Sequence, residues 1–482
     1  MVISMPLLHI LKEFLNMNYI KKLFAPVDMT EGSPVKQIIL FTIPMLIGNF
    51  AQQLYSTVDS IIVGRFVGDN ALAAVGTATP ILNLMLVFFI GISTGASIMV
   101  SQFFGARRRE ELSRSIGCCI TLTGLSSVII MVAGTLLARP LLRLLNTPDS
   151  ILDWSTSYLM ILFVGVAGCG YYNILGGVLR GLGDSVSALV YLIIATLLNI
   201  VLDYSFVAFF HMGVAGVALA TIIAQLISAI LTMRKLMRMT DIFDVKAEYL
   251  KPEKKYSSRL IRLGLPSGVT QGIFSLSLIV VQSLTNTFGE LFIAANVIVM
   301  RVDGFVMLPA FSFGTAMTTY AGQNIGAGRI ERVEKGAREG TLAAMGTSAV
   351  LAVLIVLFGR QLMGIFTQTE ALISTSYHVM LILLFGYIMV EVTQCLSGIM
   401  RGAGDTVSPM WISICSSVIF RVPAAYIMVW LSKTPENPQG NFYMLSISLL
   451  CTWILGACIT LIVYRKGKWK EHSIIQDHMS VN

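Results

Sequence analysis

Charge is what this sequence has least of. Asp, Glu, Lys and Arg make up 12% of its 482 residues, about half of the roughly 25% in an ordinary globular domain. Mean hydropathy is +0.77 and 55% of the residues are apolar, so a water-facing surface for several soluble domains cannot be built, and a soluble enzyme is excluded. Histidine is scarce, at five. The seven cysteines (Cys118, Cys119, Cys169, Cys395, Cys415, Cys451 and Cys458) all fall in apolar stretches, with no CxxC spacing and no histidine nearby, which argues against a zinc site. HExxH is absent and no soluble catalytic domain is visible, which argues against a membrane-embedded hydrolase. What is abundant is glycine, 41 residues, and methionine, 25, both suited to helices packed in lipid.

Runs of about 20 apolar residues are candidate membrane-spanning helices. Twelve are present, at 36–64, 71–103, 113–138, 156–179, 185–209, 214–233, 262–287, 292–321, 340–358, 374–400, 407–431 and 443–464; they are numbered here as spans 1 to 12. The first 34 residues differ. Lys12, Glu13, Lys21 and Lys22 interrupt their apolar run and no small-residue cleavage site follows, so they read as a cytoplasmic leader rather than a signal peptide. The expected organisation is therefore a leader (1–34), a first six-helix lobe (35–233), a cytoplasmic linker (234–262), a second lobe (263–465) and a cytoplasmic tail (466–482).

Alternating the loops across twelve spans sorts the positive charge. Of the 34 Lys and Arg, 27 fall on the side of the termini, five (Arg65, Arg139, Arg143, Arg360 and Lys433) on the other, and Arg301 and Arg421 within spans. The positive-inside rule then places both termini in the cytoplasm. It also accounts for the net charge of +8 without nucleic acid as a partner.

The chain repeats itself at an offset of 221 residues. Leu179-Arg180-Gly181-Leu182-Gly183-Asp184-Ser185 returns as Met400-Arg401-Gly402-Ala403-Gly404-Asp405-Thr406. Gly105-Ala106-Arg107 returns as Gly326-Ala327-Gly328 followed by Arg329, and Arg139 and Asp149 match Arg360 and Glu370. Six spans per repeat is an even number, so both halves enter from the same side. Parallel repeats of this kind carry a substrate cavity between the lobes and work by rocking one lobe against the other.

A charge at the centre of a span costs about 2.5–3.5 kcal/mol on insertion scales, so such groups mark functional sites by default. Six are present: Asp59, Asp203, Arg301, Asp303, Glu391 and Arg421. On span 1, Gln52, Tyr55 and Asp59 share one helical face, and on span 5 so do Asn199 and Asp203. Two acids facing one space can hold a proton together, or a Na⁺ with the help of amide and hydroxyl oxygens. For Arg301, Asp303, Glu391 and Arg421 two readings stay open, a cavity role or ion pairs between helices. Arg301 and Asp303, two residues apart, point to different faces and need different partners.

With these residues in place the sequence resembles the multidrug and toxic compound extrusion (MATE) family. The resemblance rests on Thr30-Glu31-Gly32-Ser33, on Ile43-Pro44 followed by Val58-Asp59 and Val63-Gly64, on Leu179 to Asp184 and its second copy from Arg401 to Asp405, and on Ala218-Leu219-Ala220-Thr221. It runs from residue 29 to about 465, which makes Met29 a candidate natural start. It is most similar to the prokaryotic DinF-like branch. The resemblance implies an all-α membrane protein of twelve transmembrane helices in two pseudo-symmetric, V-shaped six-helix lobes. It further implies export of amphipathic, often cationic drugs or toxic organic cations in exchange for H⁺ or Na⁺, with no cofactor or metal beyond that coupling ion. In that branch the residues matching Asp59, Asn199, Asp203 and Thr221 form the cation site, and the proline matching Pro44 is a hinge. Gln52, Tyr55, Asn173, Arg301, Asp303, Glu391, Gln394 and Arg421 are the expected cavity residues. The NorM-like branch uses acids on spans 7 and 10. Glu391, with Gln394 three residues on, is similar to the second, but span 7 from Arg262 to Thr287 holds no acid, which favours the first lobe for coupling. The expected protein is a monomer in the cell (plasma or inner) membrane. The alternative is a flippase for lipid-linked sugars from the same superfamily, which needs cationic side chains to grip pyrophosphate.

Overall fold

Among the described residues, the twelve apolar runs become twelve crossings, one of them a bent pair of helices. The computed structural model describes residues 26–473 and 475, so the expected leader up to residue 25 and most of the expected tail lie outside the described residues. Among the described residues the chain is helical, with one isolated bridge between Thr434 and Asn437 in place of any strand. Span 1 is Pro34–Phe66, span 2 Asp69–Gly105 and span 3 Arg109–Leu144. Span 4 is a pair of helices, Asp149–Val164 and Val166–Gly181, bent by 52°. Span 5 is Ser185–Tyr204 extended by a π-turn at Ser205–Phe209, span 6 is Gly213–Met237 and span 7 is Lys254–Thr285. Span 8 joins Glu290–Val306 to Leu308–Gly326; spans 9 and 10 are Ile330–Gly364 and Glu370–Ala403. Span 11 runs from Val407–Ile414 through a π segment, Cys415–Phe420, into Arg421–Leu431, and span 12 is Tyr443–Arg465. The protein is a multi-pass, all-α membrane protein.

Several helices run further than the apolar runs that announce them. Span 3 has 36 residues, roughly 54 Å at 1.5 Å per residue, against a hydrocarbon core of about 30 Å. Its first turn carries Glu110 and Glu111, charges that suit a helix N-terminus standing in water. The same extension shortens the expected linker, because span 6 reaches Met237 and span 7 begins at Lys254. The stretch left over is docked rather than loose. Arg109 donates to Asp244 Oδ1 at 2.7 Å and to the carbonyls of Asp241 and Thr240, Ser113 accepts from the Asp244 amide at 2.8 Å, and Phe243 and Tyr249 are buried. The Arg109 guanidinium holds the Asp244 carboxyl below the usual carboxylate range.

The two lobes meet at the end that bears the basic loops. There a side chain at Gly105 of span 2 would overlap the Gln323 carbonyl of span 8, and one at Gly326 of span 8 would overlap the Gln102 carbonyl of span 2. Close backbone approach of this kind is open only to glycine. Gln102 Nε2 donates to Gly402 O at 2.8 Å and Gln323 Nε2 donates to Gly181 O at 3.2 Å, so each fully buried glutamine crosses to the opposite lobe. Both residues of one bond lie 221 positions from those of the other. Nearer mid-membrane, spans 2 and 7 cross on facing Gly-xxx-Gly pairs, where a Cβ on Gly91 would stand 2.7 Å from Gly268 and one on Gly95 2.8 Å from Gly264.

Sequence division at residue 263 therefore follows the chain but not the packing. Tyr256, Leu260 and Leu263 at the start of span 7 belong to a core cluster of the first lobe, while Ile38 and Phe41 at the start of span 1 are buried in a cluster of the second. The residues just before span 1 tie the lobes further: the Met29 amide donates to Gln323 Oε1 at 2.8 Å and the Val27 amide to Gly183 O at 3.2 Å.

Gly105→Ala or Gly326→Ala forces this seam apart. Overpacking a fitted contact costs about 1–3 kcal/mol, so spin labels replacing Arg107 and Glu331 on a cysteine-free background should report a longer, broader distance distribution than in the parent. An unchanged distribution would show that the glycines are not what lets the lobes close.

Candidate functional site

Desolvation normally keeps carboxylates apart inside a membrane protein, yet the first lobe puts two together. The Asp59 carboxyl from span 1 and the Asp203 carboxyl from span 5 face each other at close range. Such proximity is stable only if a proton or a cation is shared, since two bare carboxylates repel strongly at low dielectric. Asp203 has no exposed surface and Asn199 is nearly as buried. With its amide turned to satisfy both ends, Asn199 Nδ2 donates to Asp203 Oδ2 at 2.7 Å and Asn199 Oδ1 accepts from the Thr221 amide at 3.2 Å. Tyr55 Oη lies 3.4 Å from Thr221 Oγ1. The four residues Asp59, Asn199, Asp203 and Thr221 thus form one cluster, with Tyr55 at its edge.

Asp59 Oδ1 and Asp203 Oδ1 are both buried without a hydrogen-bond partner. Oxygens left in that state fit a small cation or a proton as the missing partner. Tyr158, on the first helix of span 4, is buried within electrostatic range of both acids and of Tyr55. Sequence reasoning missed it, because a lone tyrosine in an apolar run carries no pattern that separates a site residue from a core residue.

Between the lobes lies a chamber of about 400 Å³. Of the expected cavity residues, Gln52, Asn173 and Gln394 line it, as does Pro44; Tyr55, Arg301, Asp303, Glu391 and Arg421 do not. Tyr55 faces the acid cluster instead. Arg301 is exposed, away from Asp303. Asp303 accepts a hydrogen bond from Tyr387 Oη and lies within electrostatic range of Arg421, whose side chain is buried with its Nε unpartnered. Glu391 is buried on span 10 and accepts from Ser348 Oγ of span 9 at 2.7 Å, leaving its Oε2 without a partner. Pro44 sits inside a helix that runs unbroken from Pro34 to Phe66. The two arginines that do reach the chamber, Arg180 and Arg401, come from the repeated Arg-Gly-x-Gly-Asp motif, whose position at span ends had placed them with the cytoplasmic loops.

The MatE family model matches this chain twice, over residues 44–205 and 266–427. The chain belongs to the MatE family. Each match falls in one lobe, so the repeat seen in the sequence is the family unit used twice. MatE proteins are transporters, and this one is a transporter and not an enzyme. The chain is 32% identical to the probable multidrug resistance protein YoeA of Bacillus subtilis (strain 168) over 405 residues, covering 83% of this chain and 88% of that one. It is 30% identical to the probable multidrug resistance protein YpnP of the same organism over 453 residues, with 93% and 99% covered. Among solved structures it shares the fold of an outward-facing multidrug resistance MATE family transporter, at a TM-score of 0.86 and 24% identity over 92% of this chain and 98% of that one.

The buried Asp303 and Arg421 of the second lobe can be separated from the acid cluster of the first by stability. Asp303→Ala removes a nearby counter-charge from the buried Arg421, and stranding a buried charge costs about 3–5 kcal/mol, whereas replacing both groups by apolar residues is close to neutral. Thermal unfolding in detergent should therefore rank Asp303→Leu/Arg421→Met well above Asp303→Ala. Equal destabilisation would mean that Arg421 does not balance Asp303.

Proposed function

We propose that this transporter is a secondary active multidrug efflux antiporter of the cell membrane, with both termini cytoplasmic, working as a monomer. Drug-like small molecules leave in exchange for H⁺ or Na⁺ taken up at Asp59, Asn199, Asp203 and Thr221. Two relatives at 30% and 32% identity bear the name multidrug resistance protein, which supports export of drugs over movement of a lipid-linked sugar. The observation that carries the coupling is the juxtaposition of the Asp59 and Asp203 carboxyls, each with a buried oxygen that has no hydrogen-bond partner.

The position of that pair sets the mechanism. It lies off the chamber, but span 1 reaches both: Asp59 enters the cluster while Gln52, seven residues earlier on the same face, lines the chamber. Contact between the lobes at the basic end corresponds to a state open to the outside. A cation arriving from outside neutralises the two acids, removes the charge that Tyr55 and span 1 feel, and lowers the affinity of the chamber for its cargo. Cargo leaves outward. The protein returns inward with the cation bound and releases it to the cytoplasm. A ligand shifts such an equilibrium only by its difference in affinity for the two states, so cation and drug must prefer opposite ones.

Purified protein in liposomes, loaded with ethidium and given an imposed proton or sodium gradient, tests this. Asp59→Asn should reduce gradient-driven efflux by at least ~10-fold while the protein still binds ethidium, because the amide keeps the shape and loses the ionisation. Wild-type response to one gradient alone identifies the ion. Full gradient-driven efflux by Asp59→Asn would remove the acid pair from the coupling mechanism.

A further inference from the structure

The chamber between the lobes holds positive charge and no negative charge. Arg180 and Arg401 both line it, and among the described residues no Asp or Glu does. The rest of its polar lining is hydroxyl and amide, including Gln52, Asn173 and Gln394. The acids nearest to the arginines in sequence are engaged elsewhere. Asp184 caps span 5 through the Ser187 amide at 2.8 Å and pairs with Lys235 at 3.6 Å; Asp405 caps span 11 through the Ser408 amide at 2.9 Å. Arg180 spends one of its five N–H groups on Ser93 Oγ, at 3.1 Å, and no hydrogen bond or ion pair joins the Arg401 side chain to another described residue.

A guanidinium sunk in a helical bundle without an anion is costly. The bland account is that these side chains extend along the span ends to reach water at the basic surface, as long cations do. Their placement opposes it, since both turn into the space between the lobes, and the route past them is sealed by Gln102 on Gly402 and Gln323 on Gly181. Two cations from opposite lobes facing one chamber repel each other unless something negative lies between them. A planar fork of donors from each side matches the oxygens of a carboxylate, sulfonate or phosphate.

We propose that Arg180 and Arg401 form an oxyanion-binding site at the floor of the chamber, so that the transporter selects amphipathic molecules bearing a carboxylate or similar group. This deepens the efflux reading above and rests on it for the direction of transport, but the site itself does not depend on how transport is driven.

The test uses two probes that differ by one esterification. Rhodamine B carries a free carboxylate, and its ethyl ester is the same dye without that negative charge. Fluorescence polarisation on the purified full-length protein gives the ratio of their dissociation constants, which discounts partition into detergent when compared across variants. Wild type should bind rhodamine B at least ~10-fold more tightly than the ester, and Arg180→Gln and Arg401→Gln should each bring the ratio towards one, in line with the loss of a charge-assisted pair. Arg→Lys at either position should keep part of the preference, and gel filtration with thermal unfolding confirms that each variant is folded. A ratio near one in the wild type, or a ratio unchanged in both glutamine variants, overturns the site. If the ratio behaves as expected and neither probe leaves proteoliposomes under a proton or sodium gradient, the efflux reading fails alone. If both probes are exported and the wild-type ratio is one, the oxyanion site fails alone.

Discussion

Everything in this molecule depends on two helices approaching their partners without side chains in the way. Span 2 meets span 8 where Gly105 lies under the Gln323 carbonyl and Gly326 under that of Gln102, and the two buried glutamines then cross between lobes. In lipid there is no hydrophobic force to press helices together, so close packing and hydrogen bonds must do it. A seam made at one end of a twelve-helix bundle leaves the lobes free to part at the other, which is the geometry an exporter needs. Because every residue in the seam has a counterpart 221 positions away, the contact comes in matched pairs. Two equal contacts on either side of a pseudo-two-fold axis resist shear between the lobes more than one would, yet can break together when the lobes rock.

The acid cluster and the chamber occupy different places, and the residues between them form a physical path. Tyr55 stands near both acids and also near Tyr172, and Tyr172 lines the chamber within electrostatic range of Arg180. Span 1 carries the other link, from Asp59 through Tyr55 to Gln52. In the proposed cycle, an ion bound at the acids would thus act through the field around span 1 without competing with cargo for the same atoms. This differs from a shared site, in which one ligand expels the other by occupying its space. Separate sites require a two-state element that both ligands bias, and span 1, packed against both lobes, is placed to be that element.

The large features were legible in the sequence for a physical reason: lipid forces each crossing to be a long apolar helix, so hydropathy alone finds twelve. Loop arginines and the 221-residue offset give the two lobes, and the helical periodicity of Gln52, Tyr55 and Asp59 and of Asn199 and Asp203 brings the acids onto facing surfaces. Three things were not legible. Helix ends were misjudged where spans continue into water, because charges there resemble loop. The lining of the chamber is not legible because charge inside a span points to Arg301 and Arg421, while the arginines that line it, Arg180 and Arg401, sit at span ends. A residue at the end of a span is at the membrane edge only if nothing packs beyond it, and here the glutamine seam does. Last, Gly91 and Gly95 facing Gly264 and Gly268 are ordinary in composition, and only the crossing of the chains reveals why they lack side chains.

Positive charge in the chamber alters the energetics of exchange. For a singly charged cation exported against one entering proton, no net charge moves, and the pH difference alone drives the cycle, at about 1.4 kcal/mol per pH unit. A molecule whose cationic and carboxylate groups cancel leaves without charge, so the entering proton adds the membrane potential, roughly 2.3 kcal/mol per 100 mV. A net anion does better still, since its exit and the entry of the proton both follow an interior-negative potential and the electrical contribution doubles. In the proposed exchange, acids that load a cation in one lobe and arginines that favour an oxyanion between lobes are therefore complementary: the sign of charge preferred in the chamber would let both components of a proton gradient act on the same turnover.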